Sequence, residues 1–330
     1  MNILYFGPYK DIFEHGIPSR SVIGSLAKKC QSGLSIRNIL LTPHTGGVSS
    51  LLPPNISSDH STSPDIIIQH VPVDHLSYPR KNSGTINAAI PMDLDISRPN
   101  DRLQYFDLIL VDEIDKYNIL CEKFSSDKVK LFRYEYDIVS KGTYDLKLYA
   151  NTKKFYFVND YINNQHTIQK IIIAFNLAFR SNQDVGLFLC FNDQNQYNKE
   201  IRTFIDDTKT KLRISNITHR EIILFNSFDP PSINAIHNTG NVYLDLYDHA
   251  RSNYHRQIAE YHNNQILSTS DLENIRVPAI EDSLYFPGQI KRSITTQSLV
   301  EKLVEMNDQI KPSQYNYETT PNINDILYVN

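Results

Sequence analysis

Short apolar runs recur along this chain, separated by helical patterns, and that alternation restricts the fold more than any other feature of the sequence. Residues 2–6, 35–41, 65–70, 82–89, 106–111 and 129–134 read as strands in the first half. Residues 155–158, 185–191, 221–225, 242–246 and 266–267 read as strands in the second. Helical periodicity fills the intervals. Over 19–30, Ile23, Leu26 and Ala27 share one face, and Lys28 and Lys29 sit in the last turn, where cations suit the helix dipole. Over 166–180 the apolar set is Ile168, Ile171, Ile172, Phe175, Ala178 and Phe179. Further helices are expected at 198–209, 232–238, 252–261 and 295–310. Strands that alternate with helices build βαβ units, so the expectation is an α/β fold with parallel sheets covered on both faces.

A chain of 330 residues fits two such domains better than one. The polar stretch 135–153 is the expected linker. The expected division is a Rossmann-like acceptor domain at 1–150, a Rossmann-like donor domain at 151–290, and a C-terminal helix and tail at 291–330. The tail ends in an apolar piece, 326–329, expected to add to a sheet or dock.

A net charge of −4 disfavours a general electrostatic grip on nucleic acid. Cys30, Cys121 and Cys190 are far apart, with no CxxC pair, which fits free thiols in a cytoplasmic setting. The N-terminus carries no basic segment followed by a long apolar one. No stretch approaches the roughly 20 apolar residues of a membrane span, so any membrane association is expected to be peripheral. The chain is rich in Asn, Ile, Tyr and Lys and contains no Trp, as an AT-biased genome such as a phage's would produce.

Several residues fall where open α/β sheets bind ligands, at the carboxyl ends of strands. Gly7 and Gly16 lie in the first strand–loop–helix connection, permit close backbone approach and are candidate donor-binding residues. His70 ends a strand and is a candidate general base, with Asp74 and His75 as neighbouring competitors. Asp112 and Glu113 follow the 106–111 strand and are candidate acceptor-binding residues. The stretch 241–269 reads as one strand–helix–strand unit whose loop carries Asp248, His249, Arg251, Ser252, His255 and Arg256. There Ser252 is a plausible N-cap, and Arg251 or Arg256 is placed to meet a phosphate. His255 and His262 are seven apart, which is the wrong spacing for a helical metal pair, so no metal is expected. No P-loop, GxSxG, HExxH or complete GxGxxG occurs.

Five pieces, MNILYFGPY with Gly16, PDIIIQHVP at 64–72, YFDLILVDE at 105–113, HTIQKIIIAFNLAFRSNQDVGLFL at 166–189, and 241–269, together resemble the family-4-type glycosyltransferases, or glycosyl transferases group 1. The resemblance implies the GT-B architecture, two Rossmann-like domains facing across a cleft with a C-terminal helix after the second. It implies metal-independent transfer of a sugar from a nucleotide-sugar donor, with no cofactor, to a glycan or other hydroxyl acceptor. His166 matches the family's lysine before the second-domain helix. Aligning 265–269 on the family's P-V-I-A-T places Ala250 and Ile258 where its two glutamates stand, so both carboxylates are missing. Arg251, Arg256 and backbone N–H groups near Ser252 would then have to meet the leaving phosphate. Two alternatives remain open: a catalytically decayed GT-B protein acting as a binding partner or carbohydrate-recognition subunit, and a phage DNA-base glycosyltransferase.

Overall fold

Parallel pairing organises both halves of the protein in the computed structural model. It describes residues 1–11, 15–30, 33–41, 56, 63–79, 84–92, 94, 101–134, 153–162, 164–179, 185–191, 194–213, 220–225, 230–247, 253–272, 274–278, 290–308 and 323–327. The chain divides into two compact units, one of 1–136, 250–257 and 316–330, the other of 137–249 and 258–315. This differs from three consecutive blocks. The C-terminal tail and a short stretch at 250–257 belong with the first unit.

The first unit is built on six strands, β1 (Ile3–Gly7), β2 (Leu34–Asn38), β3 (Ile66–Val71), β4 (Ile86–Pro91), β5 (Leu108–Val111) and β6 (Val129–Leu131). They lie in the order β2-β1-β3-β4-β5-β6, and every pair is parallel. Helix α1 (Gly16–Lys29) connects β1 to β2, and α2 (Ile114–Lys123) connects β5 to β6. The central strands are buried on both faces, as crossover helices require. Edge strand β2 is buried at Leu34 and open further along.

The second unit contains β7 (Lys153–Asn159), β8 (Val185–Phe191), β9 (Arg220–Phe225), β10 (Val242–Asp245) and β11 (Gln265–Ser268), ordered β11-β10-β7-β8-β9 and again all parallel. Its helices are α3 (Gln165–Ala178), α4 (Gln194–Lys211), α5 (Pro230–Thr239), the end of α6 (Tyr254–Tyr261), and α7 (Thr296–Asp308). All seven residues of β8 are buried, which explains its unbroken apolar sequence VGLFLCF. Helix α3 brings Ile168, Ile171, Ile172 and Phe175 into the core, and α7 packs along it with Leu299 and Leu303. A buried polar cluster ties β7 to α5: the Tyr156 hydroxyl meets His237 Nδ1 at 2.9 Å and accepts from Asn264 Nδ2 at 2.8 Å. Burial, with smaller help from Tyr243 and Asp245, keeps that phenol protonated well beyond the usual range, against the Asn264 bond.

Some sequence expectations shift. The apolar piece at 326–329 begins inside a short helix, α8 (Ile323–Leu327), not a strand, and Asn324 Nδ2 donates to Ser25 O on α1 at 2.8 Å. A separate antiparallel pair is formed by β12 (Asn274–Pro278) and β13 (Ile290–Ile294). The three cysteines are free thiols, and no helix among the described residues is long and apolar enough to cross a membrane.

Phe175 packs against Phe179 at 4.9 Å and Phe155 at 6.0 Å between ring centroids. Replacing it with Ala should remove about 3–5 kcal/mol of stability, read as a lowered urea midpoint of the second unit's transition. An unchanged midpoint would show that this core is not the one holding the unit together.

Candidate functional site

In the first sheet β2 is added on one side of β1 and β3 on the other. The crossovers therefore diverge at the carboxyl ends of β1 and β3, where a parallel sheet leaves room for a ligand. Gly7 closes β1, and a methyl group on it would stand 2.7 Å from the Tyr5 hydroxyl. Gly16 opens α1, and a methyl there would stand 1.9 Å from the Asp11 carbonyl oxygen. Backbone cannot retreat from such an approach, so the turn requires glycine.

Over this turn folds Arg20, only 7% exposed. Its Nη1 donates to the carbonyl oxygens of Tyr9 at 2.9 Å and Asp11 at 2.8 Å. Its Nη2 is buried and has no hydrogen-bond partner. Burial pushes the guanidinium down to about 10, against upward pulls from Tyr254 and Asp11. The Ser19 hydroxyl, also fully buried, is likewise unpartnered.

His70 lies on β3 with its ring enclosed. Nδ1 is 2.7 Å from the Tyr5 hydroxyl, which also lies 3.4 Å from Ser19 O, and the ring of Tyr134 stacks at 6.5 Å between centroids. Assigning the Tyr5 proton to Nδ1 leaves Nε2 as an N–H donor, and Nε2 has no partner. Burial, aided by the charge of His15, pushes His70 down to about 3. At neutral pH the imidazole is therefore uncharged, and far from the pKa at which a general base works best. Its geometry suits a hydrogen bond to a ligand oxygen.

Asp74 and His75 are exposed in the 3-10 turn Val73–His75, just beyond β3. The backbone there is pinned: Gln69 Nε2 donates to Ser77 O at 3.0 Å and Gln69 Oε1 accepts from Ser77 N at 2.8 Å, while Arg102 Nη1 donates to Asp74 O and, at 3.1 Å, to Leu76 O.

Asp112 has another occupation. Its Oδ2 accepts from Asn253 N at 2.7 Å and from the Tyr134 hydroxyl at 3.2 Å, and Oδ1 faces Lys116 Nζ at 3.4 Å. Its carbonyl oxygen accepts from Asn253 Nδ2 at 3.0 Å and Gln257 Nε2 at 2.8 Å, and Gln257 Oε1 accepts from Tyr134 N at 2.9 Å. Glu113 lies 3.2 Å from the same lysine. The carboxylate thus caps the start of α6 from 141 positions away and holds 253–257 to the first unit. His255, buried, and Arg256, half-buried, ride on that turn, and His255 packs beside Tyr254. Asp248, His249, Arg251 and Ser252 lie outside the described residues.

The second sheet has its own divergence, with β10 on one side of β7 and β8 on the other. At the end of β7 stand Asn159 and Asp160, followed by Asn164 just before α3, all fully buried. Asn159 Oδ1 accepts from Asp160 N at 2.9 Å, and Asn164 Nδ2 donates to Asp160 O at 3.0 Å. Asn159 Nδ2 and Asn164 Oδ1 are left without partners. His166 is exposed on the first turn of α3, and no acidic residue occupies that turn. The residue aligned with the family's second glutamate, Ile258, is 2% exposed and packed inside. Among the described residues no group of three His, Cys, Asp or Glu side chains is placed to hold a metal ion.

Sequence reasoning missed Ser19, Arg20, Asn159 and Asn164. Arg20 was not singled out, although its place four residues after Gly16 was the available signal.

Two all-parallel sheets flanked by helices define the fold as α/β with two Rossmann-like domains, the GT-B fold of glycosyltransferases. Among solved structures, the chain is similar to a sucrose-phosphate synthase from Thermosynechococcus elongatus, with a TM-score of 0.61 at 10% identity over 99% of this chain and 96% of that one. It is similar to the UDP-GlcNAc 2-epimerase of Neisseria meningitidis bound to UDP-GlcNAc, with a TM-score of 0.51 at 13% identity over 93% and 92%. It spans about half, 48%, of the S. aureus TarM chain, at a TM-score of 0.45 and 7% identity over 74% of its own length. By sequence, the chain matches no family model and no curated protein. At these identities the likeness establishes the fold.

Asp112→Ala would leave Lys116 and the start of α6 without their buried carboxylate, and should cost about 3–5 kcal/mol in chemical denaturation. A residue that only met an acceptor would leave stability unchanged. His70, held below its unfolded value, contributes stability that is complete above about pH 6.5 and is lost as pH falls toward 3. His70→Gln should flatten that acid limb, and an unaltered limb in equilibrium unfolding would show that His70 is not buried as described.

Proposed function

We propose that this protein transfers a sugar from a nucleotide-sugar donor to a hydroxyl acceptor. What supports the reading is that both sheets bring buried, unpartnered polar side chains to the carboxyl ends of the strands where their crossovers diverge. The fold alone would not carry it, since one fold hosts many activities.

In this reading the donor belongs to the second unit. Its diphosphate lies at the N-terminus of α3, where the helix dipole favours an anion and the first turn carries no acidic residue. Asn159 and Asn164 offer an amide donor and an amide acceptor to the nucleotide-sugar. His166, Asp248, His249, Arg251, Ser252, His255 and Arg256 are assigned to the donor on the family resemblance. The acceptor belongs to the first unit, near Gly7, Gly16 and His70, with Asp74 at the rim. Asp112 and Glu113 act there by holding the start of α6.

The reaction forms a bond from the acceptor oxygen to the anomeric carbon and breaks the bond from that carbon to the diphosphate oxygen. The hydroxyl proton leaves with the diphosphate or to solvent, because neutral His70 is too weak a base to hold it. His70 Nε2 orients the acceptor instead. Catalysis then comes from positioning and from stabilising the departing phosphate.

The second reading, a GT-B protein that binds without transfer, is favoured by one observation: Ile258 is core, where the family resemblance places a donor-contacting glutamate. A thermal-shift screen against UDP, GDP, ADP, CMP and their common sugar conjugates separates the two. At 100 times its dissociation constant a nucleotide adds about 2.7 kcal/mol, and one nucleotide should do so, less in Asn159→Ala. Release of that nucleotide from its sugar conjugate, stimulated by an acceptor, completes the case. Absence of any shift at millimolar concentration would favour the binding reading.

A further inference from the structure

The guanidinium of Arg20 is a buried positive charge that hydrogen-bonds to no anion among the described residues. Two neutral backbone carbonyls satisfy Nη1, and no carboxylate among the described residues is ion-paired with it. Asp11 lies near enough to pull its pKa upward, second to Tyr254, yet burial prevails and the net displacement is downward. A buried charge left in this condition is costly, and proteins commonly keep one where a ligand completes it.

Two further unsatisfied groups accompany it. Tyr5 binds His70 Nδ1 and approaches Ser19 O, which brings the imidazole next to the first turns of α1. His70 Nε2, Ser19 Oγ and Arg20 Nη2 are all buried, all able to donate, and all unpartnered. The N-terminus of α1, a 14-residue helix with no acidic residue in its first turn and no side-chain cap on its first N–H groups, faces the same turn. Arg20 Nη1 binds the two carbonyls of that turn, which directs the guanidinium into it. A buried cation with an unused N–H, buried unpartnered side-chain groups on α1 and β3, and a helix N-terminus without acidic residues match an oxyanion.

We propose that this cluster binds a phosphate or carboxylate group carried by the acceptor, so that the acceptor is an anionic molecule such as a sugar phosphate or a sugar acid. Naming the ligand as the acceptor rests on the transferase reading; the anion site itself does not. Arg20 provides the charge, and Ser19 and His70 orient the oxygens.

The test is calorimetric titration of the full chain with inorganic phosphate, acetate, glucose 6-phosphate, glucuronate, uncharged glucose and UDP. Phosphate and glucose 6-phosphate, or acetate and glucuronate, should bind while glucose does not, and whichever pair binds names the anion. Charge-assisted contacts of this kind carry about tenfold or more in affinity, so Arg20→Gln should lose at least that. Ser19→Ala removes only an unpartnered hydroxyl, leaves folding intact by circular dichroism, and should weaken the same ligands severalfold. Binding of these anions that neither variant alters would overturn the proposal, as would failure of every anion to bind. Loss of UDP binding alone in the variants would overturn it too, because the cluster would then serve the donor. Turnover is not read, so failure here is distinguishable from failure of the transferase reading.

Discussion

Parallel strand pairing is the constraint from which the rest of this structure follows. Each parallel strand needs a crossover, and the crossovers cover both faces of the sheet. The strands become fully buried and apolar, as β8 shows, and polar chemistry is driven to their ends. Because the first strand of each sheet has neighbours added on both sides, the carboxyl ends of β1 and β7 are where helices diverge. Gly7 and Arg20 in one unit, and Asn159 and Asn164 in the other, occupy those positions for the same topological reason.

Desolvation governs the chemistry of the first cluster. His70 and Arg20 are each held toward the uncharged form by burial, the histidine far enough to be neutral at any physiological pH. That lowering argues against the general-base role that its strand-end position suggests. Arg20 cannot neutralise in the same way, since even a lowered guanidinium value near 10 leaves it charged at neutral pH.

The alternation of apolar runs with helical faces made the fold legible, because buried parallel strands and amphipathic helices leave different periods in a sequence. Strand-end candidates such as Gly7, Gly16 and His70 were legible on the same logic. Long-range polar contacts were not. Nothing local in 241–269 indicates that its helix begins against Asp112, and so the stretch 250–257 was read with the wrong unit. Nothing local in 19–30 distinguishes Arg20, whose Nη1 reaches back over the Gly16 turn, from Lys28 or Lys29 at the same helix's solvent end. The helix Ile323–Leu327 was not legible, since five residues are too few to show a period, and its apolar end was expected only to add to a sheet or dock.

The central claim is that ligands enter at the carboxyl ends of both sheets. Hydrogen–deuterium exchange on the full chain, with and without a nucleotide-sugar and glucose 6-phosphate, tests it most directly. The account predicts slowed exchange in the first turns of α1 and α3, each with its own ligand, and little change at the amino ends of the strands. Protection confined to the amino ends, or to the exposed faces of α2 and α4, would contradict it.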